Sequence, residues 1–196
     1  MLFRSLDGFL ATSLARTVVD VARSSTFREG VAIADAALHG LRDHTGRALR
    51  KPVDKGELLD ELIAAGSRRG VAQARAVIDF ADGASESPGE SCSRVGFRIL
   101  GLPAPLLQQE FRDRLGLIGF TDFWWPECRL MGEFDGGSKY TDLTFLRGRT
   151  PGRALADEKR REDRLRATGR GMSRWGWAIA LSPPRLRVHL RDAGLR

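Results

Sequence analysis

Two short apolar runs, Leu117 to Trp125 and Cys128 to Asp135, each read as a core strand, yet they carry three carboxylates: Asp122, Glu133 and Asp135. A strand in a core is expected to be free of charge, because an unpaired buried carboxylate costs several kcal/mol or is forced to protonate. Acids on adjacent strands therefore need a partner. The common partners are a divalent cation or a cluster of arginine and lysine. Alternation along the first run puts Ile118, Phe120, Asp122 and Trp124 on one face. Along the second, Met131, Glu133 and Asp135 share a face opposite Leu130, Gly132 and Phe134. If Pro126-Glu127 turns the chain into a hairpin, Asp122 and Glu133 lie side by side or diagonally, within reach of one ion. Gly136-Gly137 then ends the returning strand.

The 196 residues suffice for one good core or two small ones. With 42% hydrophobic and 29% charged residues the composition is that of a folded protein. The net charge of +7 is uneven: 14 basic and 5 acidic residues lie from Arg147 onward, against 18 and 20 before it. A basic C-terminal block beside an acidic cluster suits a phosphodiester substrate. Only 4 of the 32 basic residues are lysine, however, so compositional bias accounts for part of this charge. Cys92 and Cys128 lack metal-ligand spacing, and a cytoplasmic protein with reduced thiols is the simple reading. No apolar run approaches the ~18 residues that span a bilayer, so no membrane partner is expected.

Apolar periodicity predicts helices over 12–24, 31–38, 55–65 and 71–81. The small polar segment 82–87 then divides a helical domain, 1–82, from a second domain, 83–196. Ser87-Pro88-Gly89-Glu90 opens a fifth helix with the spacing of a capping box, which gives Glu90 a structural role. Strands are expected at 106–113, 117–125 and 128–135, a helix at 154–168, a strand across 172–179 and a last helix at 184–193. The fold class is α+β, with a core of order α-β-β-β-α-β after the helical part.

Five motifs in order, Ser87-Pro88-Gly89-Glu90, Thr121-Asp122-Phe123-Trp124-Trp125-Pro126, Gly132-Glu133-Phe134-Asp135-Gly136, the run Glu158 to Leu165, and Arg174-Trp175-Gly176-Trp177, resemble the PD-(D/E)XK nuclease-like domain related to very-short-patch-repair endonucleases. The resemblance implies a restriction-endonuclease-like core that hydrolyses DNA phosphodiesters with Mg²⁺, or Mn²⁺ in its place. It implies Asp122 and Glu133 as metal ligands and Glu90 reaching the metal from the helix side. The pattern has a lysine two residues after the second acid, where this chain has Asp135; Lys139 or Lys159 is then the candidate for the missing positive charge. Arg94, Arg160, Arg161 and Arg174 are candidate phosphate contacts. Lys159 to Arg161 read equally well as a solvated helix face. Trp175 and Trp177, at period two, are read as core or as a base-stacking surface.

Upstream, the run Ala11 to Asp20 resembles the Thr-Ser-x-x-Arg-Thr element of AbiEi-type antitoxins of abortive-infection systems, where it follows a winged helix that this chain is expected to lack. That resemblance implies a second reading: a catalytically inactive DNA-binding regulator with a cognate toxin as partner.

Overall fold

The computed structural model describes residues 3–6, 8–42, 47–137 and 150–195. The chain divides into two compact units, Met1–Cys92 and Ser93–Arg196, and the division falls inside a helix, past the polar segment 82–87.

The first unit is mainly helical. Ser13 caps α1 (Leu14–Ser24), whose apolar stripe buries Val18, Val19 and Ala22. α2 (Phe27–His39) begins earlier than periodicity predicts, because Thr26 and Glu29 form a reciprocal capping box. Asp54 and Glu57 do the same for α3 (Lys55–Ala64). α4 (Val71–Phe80) completes the group, and Val31, Ala34, Leu58, Leu62, Val77 and Ile78 are among the buried apolar residues of α2 to α4. Two antiparallel ribbons have no counterpart among the predicted elements: β1 (Phe3–Leu6) with β2 (Phe9–Thr12), and β3 (Leu41–Arg42) with β4 (Ala48–Arg50). Such strands of two to four residues are too short for an alternation to register.

α5 (Pro88–Leu100) crosses the division and is followed by a four-stranded sheet of order β5-β6-β7-β8. β5 (Leu106–Asp113), β6 (Gly116–Trp125) and β7 (Leu130–Phe134) form an antiparallel meander. The chain then passes through α6 (Pro151–Ala167) before β8 (Gly171–Trp175) pairs with β7 in parallel. This is the expected α-β-β-β-α-β order. On one sheet face Phe97 of α5 meets Phe123, Trp125, Phe134 and Trp175, with Leu186 and Leu190 of the last helix, α8 (Pro183–Asp192), in the same cluster. The buried indole N–H groups are matched: Trp125 Nε1 donates to Pro103 O at 2.8 Å and Trp175 Nε1 to Ser93 Oγ at 2.9 Å. A smaller cluster holds Leu165 of α6 against Phe111, Ile118 and Met131.

The last strand is shorter than the 172–179 predicted. Gly176 caps a helical turn, α7 (Trp177–Ala180), so Trp175 is buried in the core while Trp177 is 41% exposed. The two tryptophans therefore do not share a strand face. Among the described residues no helix is long and apolar enough to cross a membrane.

Candidate functional site

The meander brings Asp122 and Glu133 together as the spacing predicts. Phe123 pairs with Gly132 across β6 and β7, so the next step along the register sets Asp122 beside Glu133. Asp122 Oδ2 accepts a 2.7 Å hydrogen bond from the Phe134 backbone N–H. Glu133 is buried, and a guanidinium reaches each of its oxygens: Arg161 Nη2 lies 2.5 Å from Oε1 and Arg174 Nη2 lies 2.7 Å from Oε2. Arg174 is Glu133's partner in the parallel β7–β8 register. Arg161 reaches down from α6, four residues before the Leu165 that anchors this helix in the apolar cluster.

Two further acids of α6 extend the network. Glu158 accepts from Arg174 at 2.8 Å and from Arg161 Nε at 3.1 Å, and Glu162 lies 3.8 Å from Arg174. Burial alone would raise the Glu158 carboxyl, but hydrogen bonds and charge from Arg161 and Arg174 overcome this and hold it below its ordinary value. Burial would likewise lower Arg161 and Arg174, but the Glu133 and Glu158 carboxylates together, with Glu162 beside Arg174, overcome it and raise both. Arg161 Nη1 also donates to Phe120 O at 3.3 Å, where Gly119, with φ +149, lies against the arginine's Cδ.

The remaining candidates lie elsewhere or are differently engaged. Glu90 is buried at the start of α5, where Oε1 accepts from Ser87 Oγ at 2.7 Å and Oε2 from Glu86 N at 2.9 Å. Glu90 N donates to Ser87 Oγ at 3.2 Å, so Ser87 caps the helix as the sequence predicts, while the Glu90 side chain reaches back to the Glu86 N–H and the Ser87 hydroxyl, a variant of the capping box. Arg94, one turn on, is also buried. Asp135 lies just past β7, and its Oδ1 accepts from Gly137 N at 3.0 Å in a tight turn. Lys159 and Arg160 are on the exposed side of α6, and Arg160 pairs with Asp157. Lys139 falls outside the described residues.

The positive charge beside the second acid thus comes from Arg161 and Arg174. Sequence reasoning missed Glu158 and Glu162 as members of the site. Their i, i+3 and i, i+4 spacing with Arg161 and Leu165 on one helical face was the available signal. A divalent cation needs oxygen lone pairs from several ligands turned to one point. Here Glu133's oxygens face two guanidiniums, Asp122 takes a backbone N–H, and Glu90 and Asp135 close local turns. Among the described residues no three carboxylate, histidine or cysteine groups come together to hold a metal ion. The arrangement does not fit a carboxylate-bound metal.

No protein family model matches the chain, and no solved structure matches it. Over 130 residues it is 35% identical to two uncharacterized proteins of Mycobacterium tuberculosis, MT2308 of strain CDC 1551 and Rv2248 of strain H37Rv. The match covers 66% of this chain and 44% of each relative, so the chain spans less than half the length of the curated relatives it matches.

Proposed function

We propose that residues 93–196 form a DNA-binding domain on a nuclease-type frame, one that holds the phosphodiester backbone without cutting it. The α-β-β-β-α-β order and the resemblance to PD-(D/E)XK domains support the frame. The observation that carries the loss of cleavage is the engagement of both Glu133 oxygens by Arg161 and Arg174. Hydrolysis on such a frame needs that carboxylate for Mg²⁺, which activates water and neutralises developing charge. In this reading the exposed cations of α6, Lys159 and Arg160 among them, meet phosphates, and the arginines beneath them hold the helix on the sheet. The chain would act as a cytoplasmic regulator, in line with the antitoxin resemblance, and a toxin partner belongs to the same reading.

A Mg²⁺- or Mn²⁺-dependent endonuclease is the second reading, favoured by the adjacency of Asp122 and Glu133. The test pairs fluorescence anisotropy on labelled DNA with a cleavage assay and with Mg²⁺ and Mn²⁺ titration calorimetry, for wild type and Asp122→Ala. DNA binding by both proteins with no metal-dependent cleavage is the expected result. Cleavage by the wild type that Asp122→Ala abolishes would establish the nuclease instead.

A further inference from the structure

In the first unit a cleft of about 330 Å³ opens between the end of α2, the β3–β4 ribbon and the segment leading into α5. Among the described residues its charged and titratable lining is His39, Arg42, Arg50 and Glu86, two guanidiniums and an imidazole against one carboxylate. Ser85 and Ser91 add hydroxyls, and Ala32, Ala36 and Leu41 supply apolar wall.

Arg50 carries the distinctive feature. Its Nη2 donates to Ala36 O at 2.9 Å, which fixes the side chain against the last turn of α2. Its Nη1 is buried and has no hydrogen-bond partner among the described residues. Proteins seldom leave a buried guanidinium donor unmatched, and such a group calls for an explanation. His39 is held by a 2.9 Å bond between Nδ1 and Gly83 O, so its ring too is positioned before any ligand arrives. The first-turn N–H of Glu90 is already taken by the Ser87 hydroxyl.

We propose that this cleft binds a small phosphate-bearing ligand of nucleotide size. Arginine donors match phosphate oxygens, and among the described residues the two guanidiniums exceed the one opposing acid in charge. The volume is at the low end of small-molecule sites, enough for a phosphate and a modest apolar or planar body along the alanine wall. The site lies wholly within residues 32–91 and does not depend on the DNA reading of the second unit.

Calorimetric titration of the full chain with inorganic phosphate, adenosine monophosphate and adenosine tests it. Saturable binding of the two phosphate probes but not of adenosine is expected. Arg42→Gln, at an exposed position, should weaken that binding about tenfold or more while leaving the melting temperature in place. Comparing a 5′-phosphorylated oligonucleotide with its unphosphorylated form separates the sources. An Arg42-dependent preference for the phosphorylated form assigns the ligand to a nucleic-acid end, and equal binding of the two assigns it to a free nucleotide. Absence of saturable phosphate binding, equal binding of adenosine, or an unchanged affinity in Arg42→Gln would overturn the proposal.

Discussion

Glu133 sits in the core with an arginine at each of its two oxygens. Removing a carboxylate from water costs several kcal/mol, and the cost is recovered only when geometry and hydrogen bonds are good. Two charge-assisted bonds, one to each oxygen, meet that condition. A second, more exposed pair ties the same helix to the hairpin: Arg164 holds Asp113 through bonds of 2.8 and 2.6 Å. Those hydrogen bonds are the main reason that the Asp113 carboxyl is pulled down from 3.8 to about 2. Because the folded value is the lower one, the pair stabilises the fold fully above the unfolded value, and that contribution is lost as pH falls through about 2. Urea unfolding at pH 5 and at pH 2.5 should therefore show a smaller acid-induced drop in midpoint for Asp113→Asn than for the wild type. Equal drops in the two proteins would refute this role. The sequence placed Asp122 beside Glu133, since alternation and a short turn decide that; it left open whether a metal or arginines would face them.

At the scale of elements, the sheet depends on how closely two tryptophans approach one glycine. A Cβ built on Gly132 would stand 2.8 Å from Trp175 Cη2 and 3.0 Å from Trp125 Cζ3, both in rings buried within the main core. Neither ring can move aside without disturbing its indole hydrogen bond. Gly132→Ala should cost about 1–3 kcal/mol, the usual range for overpacking a filled core, read as a lower urea midpoint at unchanged slope. A midpoint equal to the wild type would show that the rings yield. Most elements were legible in advance: the three meander strands, α5 with its capping box, and α6 all follow from apolar period and cap residues. The last strand was not, because Met172 to Ile179 is apolar enough to continue it. Gly176 stops it, in an extended conformation whose Cβ position lies 3.1 Å from Asp135 O. The β1–β2 and β3–β4 ribbons escaped as well, since pairing and not local preference makes strands so short.

For the molecule as a whole, charge is the property with the longest reach. The excess of +9 from Arg147 onward is partly consumed inside the fold: Arg161, Arg164 and Arg174 neutralise acids of the same unit. Fewer cations are thus free for phosphate than the sequence count suggests. If DNA is the partner, log affinity should fall linearly with log salt, with a slope of about −0.9 for each phosphate neutralised. A slope near zero in an anisotropy titration between 50 and 200 mM salt, about a Debye length of 14 to 7 Å, would remove the electrostatic basis for the DNA reading.

The sequence alone determined the order of the longer helices and of the strands of the main sheet, the cap at the start of α5, and the face of each strand on which an acid lies. Those features depend on neighbours within a few residues, where period and hydrogen-bonding preference act directly. Only the tertiary structure decided what answers the buried charge. Arg161 and Arg174 are 28 and 41 residues from Glu133, and both reach it because α6 crosses the sheet and β8 joins β7 in parallel. Spacing tells which side of an element a charge occupies; the partner is set by whichever element the fold lays over it.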